Sequence, residues 1–462
     1  MNTFQEFVSE EVIRGAIRMA AKDLSNLGRL INLLSKLARE ENHKRNLEAV
    51  SPHLSNPDSN WYQLIDRVAK TTNPKILETL LLNFIVKAGL KGIPVQHRKA
   101  KEIGVSVPFA LLVDPTSACN LSCTGCWAGD YQKNDNLSFE TLDRIFTEAK
   151  ELGIYFVVLS GGEPLVRRND IIALAQKHPE MAFHLFTNGT LIDEELVSEL
   201  QQVGNVTMAI SLEGFEKRTD ERRGKGVFQR IMDSMDLLRE GGVPFGYSVT
   251  YTRLNTEEVG SEEFVDFMVK KGAVWGWYFT YIPIGKDVDL DYMATPAQRK
   301  YIYNQIHSFR KSKPILLVDF WNDGPYSNGC IAGGKRYLHI NAAGDVEPCA
   351  FIHYATCNIE EVSLVEALQS PLFKAYQRRQ PFNENLLRPC PLLDNPNQLP
   401  EIVKESGATP TQCHNKVDPE LLAHELQGYA KEWDQISRPL WERDFPNLAS
   451  GKEKVLRTAN SN

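Results

Sequence analysis

Three cysteines, Cys119, Cys123 and Cys126, stand in C-x3-C-x2-C spacing within the run Asp114-Pro-Thr-Ser-Ala-Cys-Asn-Leu-Ser-Cys-Thr-Gly-Cys-Trp127. The apolar run Phe109–Val113 leads into them and reads as a buried strand. Three thiolates on a loop this short can wrap one corner of an iron–sulfur cube and leave the fourth iron without a protein ligand. An open iron suits catalysis, because a substrate or cofactor can bind there. A structural zinc site wants a fourth Cys or His nearby, and none follows closely.

From about Val107 the pattern alternates strand and helix. Strand-like runs are Phe109–Val113, Tyr155–Leu159, Ala182–Phe186, Val206–Ile210, Phe245–Thr250 and Val274–Tyr281. Helix-like runs between and after them are Ser138–Leu152, Asp170–Lys177, Asp193–Val203, Phe228–Arg239, Glu258–Lys271 and Pro296–Arg310. Six βα units of this kind imply an α/β fold whose parallel sheet curls toward a barrel. In such barrels the chemistry sits at the C-terminal ends of the strands.

The motifs that follow fall at those ends. After the second strand comes Ser160-Gly-Gly-Glu-Pro164, where Gly161 and Gly162 let backbone approach a ligand and Glu163 can accept from an ammonium. After the third comes Thr187-Asn-Gly-Thr190, which offers either Asn188 as a cofactor contact or Thr190 as an ordinary helix cap. After the fourth comes Ser211-Leu-Glu-Gly214, and then the basic loop Arg222-Arg-Gly-Lys-Gly226.

Together these motifs resemble the radical S-adenosylmethionine (SAM) enzymes. The resemblance implies a partial (βα)6 TIM-like barrel and a 4Fe–4S cluster on Cys119, Cys123 and Cys126. Its open iron would be chelated by SAM, which one electron cleaves to methionine and a 5′-deoxyadenosyl radical. It further implies SAM contacts at Gly161, Gly162, Glu163, Asn188 and Ser211, and Arg223 as a carboxylate partner, whereas Arg222 reads as solvated. Two positions depart from the family pattern. Glu213 replaces the usual Asp, and Gly125 stands where a bulky residue normally lies against the adenine, leaving Trp127 or Tyr131 to supply that surface.

A second set of cysteines begins at Cys330, which is followed by thirteen residues, Gly344 and Cys349. Tyr337–Ile340 and Val346 read as a short hairpin around Ala343-Gly-Asp345 that brings the two cysteine-bearing ends together. This resembles the SPASM/Twitch extension, which houses auxiliary iron–sulfur clusters, although the dense cysteine run of a full SPASM region is absent. The resemblance implies one auxiliary cluster on Cys330, Cys349 and two of Cys357, Cys390 and Cys413. Cys357 and Cys390 are the expected pair, the latter in the rigid loop Arg388-Pro-Cys-Pro391.

The expected organisation is therefore a helical region 1–105, the barrel 106–322, the auxiliary region 323–415, a C-terminal helix 416–448 and a polar, disordered tail 449–462. In the first region Phe4, Val8, Val12, Ala16, Met19, Leu24, Leu27, Ile31 and Leu34 recur at mostly helical intervals. Further helices are expected at Trp61–Lys70 and Pro74–Ala88 after the turn-rich loop Ser51–Asp58. That region reads as a cap on the barrel in preference to a substrate-recruiting or membrane-surface module, since acidic and basic residues are mixed.

Composition narrows the function class. A net charge of −7 argues against broad nucleic-acid binding. No signal-peptide pattern or membrane-spanning apolar run is seen, so the cytoplasm is the expected location and the eight cysteines are metal ligands before they are disulfides. The expected partners are an electron donor such as ferredoxin or flavodoxin and a substrate that the sequence does not identify. A peptide or protein is one reading, a lipid or isoprenoid-type apolar molecule another, and a non-enzymatic iron–sulfur protein a third.

Overall fold

The computed structural model describes residues 56–413 and 418–451, with scattered positions between 11 and 54. The expected tail beyond Gly451, and Phe4, Val8, Val12, Leu27 and Leu34 of the first helical pattern, lie outside the described residues.

Nine strands form one sheet: β1 (Ala110–Val113), β2 (Phe156–Leu159), β3 (Ala182–Thr187), β4 (Val206–Leu212), β5 (Phe245–Tyr251), β6 (Trp275–Thr280), β7 (Leu316–Asp319), β8 (Tyr337–Ile340) and β9 (Val346–Glu347). Their order is β7-β6-β5-β4-β3-β2-β1-β8-β9. Strands β1 to β7 pair in sequence and in parallel, each joined to the next by a helical crossover. This is the curled parallel sheet that six βα units imply, with β7 added beyond the expected last strand.

The helices begin where their sequences cap them. Ser138, Asp193 and Ser261 accept from backbone N–H groups three residues on, and Thr295 forms a capping box with Gln298. Asp193, and not Thr190, caps the helix after β3. The outward faces of the strands pack under these helices, so Leu111, Val157, Leu185, Tyr278 and Leu317 are at most 2% exposed.

The expected auxiliary hairpin is continuous with the barrel. Strand β8 pairs in parallel with β1, Leu112 opposite His339, and β9 turns back antiparallel on β8. It brings His339 beside Asp114, the residue that opens the cysteine loop.

Helices Asn60–Thr71 and Pro74–Leu81, a π-helical stretch Leu82–Gly92 and helix Ile93–Ile103 cross the foot of the barrel. Their polar side chains bond the loops that precede the strands. Arg67 donates to the Ala273 and Pro314 carbonyls, Asn83 to those of Pro179 and Met181, and Gln96 to that of Gly153. This is the packing of a cap. No described helix is long and apolar enough to cross a membrane.

Candidate active site

The cysteine loop leaves β1 at the C-terminal end of the sheet, where parallel strands direct their following loops. Its backbone lies directly on the Gly-Gly turn after β2. Gly162 N–H donates to the Thr116 carbonyl at 2.9 Å and Glu163 N–H to that of Ala118 at 2.8 Å. A Cβ on Gly162 would stand 2.1 Å from the Ala118 oxygen, and one on Gly161 2.5 Å from that of Thr116. The glycines are thus demanded first by loop-on-loop contact.

The Glu163 carboxylate is 1% exposed. It accepts from the Thr187 hydroxyl at 2.6 Å, Asn188 N–H at 2.7 Å and Leu165 N–H at 3.0 Å. Burial raises its pKa against these bonds. In this arrangement Glu163 braces the β2 and β3 turns, instead of standing free for an ammonium. Asn188 extends the brace to the cysteine loop. Its Nδ2 donates to Asn120 Oδ1 at 2.8 Å and lies 4.0 Å from Cys119 Sγ, while its Oδ1 accepts from Thr190.

The third and fourth motifs converge on the same loop. Arg222 is not solvated. It donates to the Thr124 and Gly125 carbonyls at 3.1 and 3.3 Å, and its side chain is 8% exposed. Glu213, itself 1% exposed, pairs with Arg223 Nη2 at 2.6 Å and lies 2.8 Å from Arg222 Nη1, which is off the hydrogen-bonding line. Arg223 therefore has its carboxylate partner within the chain. Arg222 Nη1 and Glu213 Oε2 are left buried and unbonded beside the loop, a donor and an acceptor that a bound polar ligand would satisfy. Ser211 bonds Ser248 at 2.9 Å across β4 and β5.

The thiols fit an iron–sulfur cluster. Burial lifts Cys119 to about 11, and negative charge on Cys123 and Cys126 adds to it, so the three sulfurs share one electrostatic site. Among the described residues no group of three or more His, Cys, Asp or Glu is drawn together tightly enough for a single metal ion. Gly125 is explained by Tyr281. A Cβ there would meet the Tyr281 ring at 2.9 Å, so Tyr281 occupies the space the usual bulky residue takes. The expected substitutes face elsewhere. Trp127 packs among Tyr131, His339, Phe351 and His353, and Tyr131 bonds Glu347 at 2.9 and 3.0 Å.

Cys330, Cys349 and Cys390 line one pocket, with Phe320, Trp321, Tyr337 and Tyr376. Tyr337 donates to Cys349 Sγ at 2.7 Å, and Tyr376 Oη lies 3.3 Å from Cys330 Sγ. Burial pushes Cys390 up to about 12, with Cys330 among the charges that add to it. The donors suit an auxiliary cluster and include three cysteines only. Cys357, the expected fourth ligand, stands instead beside Ser370 and Asp345, and none of the other cysteines is among the groups that shift it. The hairpin carries Cys357 away on its far edge, where Val346 N–H bonds the Cys357 carbonyl. Cys413 is exposed. The two tyrosines escaped the sequence reading, because only the fold brings their hydroxyls to the sulfurs.

Comparison with known proteins agrees with this geometry. Residues 113–268 match the family model of the radical SAM superfamily, and residues 330–391 that of the SPASM iron–sulfur cluster-binding domain. The chain is 25% identical over 286 residues to the AdoMet-dependent heme synthase of Methanosarcina barkeri, covering 55% of this chain and 80% of the synthase. It is 28% identical over 266 residues to the mycofactocin maturase MftC of Mycolicibacterium smegmatis, covering 54% of this chain and 66% of the maturase. The crystal structure of Streptococcus suis SuiB shares the fold with a TM-score of 0.52 at 19% identity, over 71% of this chain and 82% of SuiB. The chain belongs to the radical SAM superfamily and is an enzyme of 4Fe–4S clusters and S-adenosylmethionine, with a SPASM-type region built onto the edge of its barrel.

Proposed function

We propose that Cys119, Cys123 and Cys126 hold the catalytic cluster, that SAM lies over them against the Gly161–Gly162 turn, Asn188 and Ser211, and that Cys330, Cys349 and Cys390 hold one auxiliary cluster. When bound, the cluster and SAM would supply radical chemistry, one electron from the external donor cleaving SAM to methionine and a 5′-deoxyadenosyl radical able to abstract hydrogen. The residues of the chain do the positioning. Glu163 locks the β2 and β3 turns, and Arg222 holds the thiol loop down by its carbonyls. The apolar inner face of the sheet would limit water near the radical. An external one-electron donor of ferredoxin or flavodoxin type supplies the reductant.

The observation that carries this reading is the docking of the Gly-Gly-Glu turn and the Arg222 clamp onto a single three-thiol loop. For the substrate, the inward face of the sheet favours the apolar reading over the peptide one. It presents mostly aromatic and aliphatic side chains, and a peptide backbone there would lose water without regaining hydrogen bonds. The test is anaerobic reconstitution, with iron counting and 5′-deoxyadenosine measured after dithionite and SAM. About eight irons per chain are expected, falling to about four with loss of deoxyadenosine in the Cys119/Cys123/Cys126→Ala variant. Deoxyadenosine that persists in that variant would sink the assignment of the catalytic loop.

A further inference from the structure

The interior of the barrel holds an arrangement that neither set of cysteines uses. Leu112, Phe156, Phe186, Trp275, Trp277 and Val318 point inward from the strands, yet all are only half-buried. Their outward neighbours are sealed under helices. Half-open side chains on the inner face mean that the barrel encloses space, where barrel interiors are ordinarily packed solid. The floor is Phe84, from the π-helical stretch of the cap. Its ring centroid lies 4.7 Å from that of Phe156, and it is 42% exposed. Gly246 keeps the space clear. A Cβ there would meet the Trp275 indole at 2.1 Å, so the ring lies over the bare strand instead of across the lumen.

One polar station interrupts this lining. His184 is 4% exposed and sits among the rings of Phe156, Phe186, Trp275 and Trp277, with centroids 5.2 to 6.4 Å away. Its Nδ1 is 3.0 Å from Thr207 Oγ1, and the Thr207 hydroxyl donates to the Phe183 carbonyl at 3.3 Å. That proton being committed, Thr207 accepts from Nδ1–H, and the His184 Nε2 keeps a lone pair. Burial pushes the imidazole down to about 3, so it is neutral at ordinary pH. His184 Nε2 and the indole Nε1 of both Trp275 and Trp277 are buried without any hydrogen-bond partner. Unpaired buried polar atoms are costly and rare, and here three belong to side chains on the inward face of β3 and β6. One is an acceptor and two are donors, which is the complement of a hydroxyl group. No Asp, Glu, Lys or Arg stands on the inward face of β1 to β7, so nothing there would compensate a charged chain.

We propose that the lumen binds a long, neutral, mainly apolar substrate by a hydroxyl that donates to His184 Nε2 and accepts from the indole N–H groups of Trp275 and Trp277. The chain of the substrate runs upward past Phe186 to the mouth. His184 lies three residues below Thr187, the partner of Glu163, a rise of about 10 Å along the strand. The carbon that meets the radical is therefore several bonds from the hydroxyl. This assignment rests on the radical reading above and names the class of substrate that the radical attacks.

The test uses the anaerobically reconstituted enzyme with 4,5-dibromoundecan-1-ol and its methyl ether as probes, since bromine quenches nearby indole fluorescence and carbons 4 and 5 stay close to the hydroxyl. The alcohol is expected to quench, and the response to disappear in Trp275→Phe/Trp277→Phe. The ether is expected to bind roughly tenfold more weakly, equivalent to about 1.4 kcal/mol. His184→Phe should cost the alcohol the same factor and leave the ether unchanged. Should that variant fail to fold, the alcohol–ether comparison in the unaltered chain carries the test. Equal affinity of the two probes, or quenching by neither, overturns the proposal. Quenching without deoxyadenosine from SAM and dithionite overturns the radical reading and leaves the lumen assignment standing. Deoxyadenosine without quenching does the reverse.

Discussion

Replacing His339 by Gln removes a buried cation that ties the auxiliary hairpin to the strand before the cysteine loop. The imidazole is fully buried, 2.9 Å from Asp114 Oδ2 and 2.7 Å from Glu347 Oε2. Desolvation opposes its charge, but the two carboxylates and their hydrogen bonds prevail and raise its pKa to about 10. In the unfolded chain the group titrates near 6.5, at roughly 1.4 kcal/mol per pH unit of difference. The folded chain thus binds this proton more tightly. The resulting stability is fully present below about pH 6.5 and is lost as the pH rises through about 10. The ceiling is on the order of 5 kcal/mol. Burial of Asp114, which raises that carboxyl's pKa, reduces it. A net loss of roughly 3 kcal/mol matches the low end for breaking a buried pair.

The assay is thermal unfolding of wild type and His339→Gln, followed by circular dichroism at pH 6.5 and at pH 10.5. At the lower pH the variant should melt about 6–12 °C below wild type, taking 2–4 °C per kcal/mol. At the higher pH the gap should close to about 2 °C, because wild type has by then lost the same proton. Groups such as Lys335, whose burial lowers its pKa to about 8, titrate in both proteins and cancel in the difference. An equal gap at both pH values would refute the ionic account and leave His339 a space-filling residue.

Three further outcomes follow from the site. Cys357→Ala should leave the iron content unchanged, while Cys390→Ala should lower it by about four per chain; equal losses would return Cys357 to the ligand set. Gly162→Ala puts a Cβ 2.1 Å from the Ala118 carbonyl oxygen, so the variant should keep its far-ultraviolet dichroism and lose the iron of the catalytic loop, which iron counting reports. Arg299 pairs with Asp394 at 2.5 Å with both side chains fully buried, and its guanidinium lies 4.1 Å from the Trp433 ring centroid. Arg299→Ala should cost roughly 3–5 kcal/mol in denaturant unfolding, and a loss below about 1 kcal/mol would contradict the pairing.

The parts of the molecule legible in the sequence are those whose physics is local. Cys119, Cys123 and Cys126 announce themselves by spacing. Strands β1 and β2 are continuous apolar runs, β3 to β6 are mainly apolar, and the helix beginning after Ser138 carries its own cap. What escaped depends on partners distant in the chain. Strand β7 follows closely on Pro314, opens on the exposed Leu316 and ends on Asp319, so its apolar signal does not stand out from the helix end before it. The hairpin looks like a separate unit until β8 is seen paired with β1, some 225 residues earlier at the His339–Asp114 contact. Arg222 sits in a run of charges that reads as solvent-facing, and only the fold places Glu213 and the Thr124 carbonyl around it.

The two sequence departures from the family pattern acquire physical causes at that same level. Gly125 is small because Tyr281, from the loop after β6, fills the space beside it. Glu213, one methylene longer than the usual Asp, reaches two arginines where a shorter carboxylate would span less. Each altered residue is matched by another: Gly125 by Tyr281 from the loop after β6, and Glu213 by Arg222 and Arg223 of its own βα unit. A single-site reversion would therefore be poorly accommodated. Asp at 213 would draw the carboxylate back from Arg222 and Arg223 and loosen the clamp on the thiol loop. A bulky residue at 125 would drive Tyr281 from its place. The thiol loop is held by this chain's own compensated pairs, and its geometry can be altered only by changing both members together.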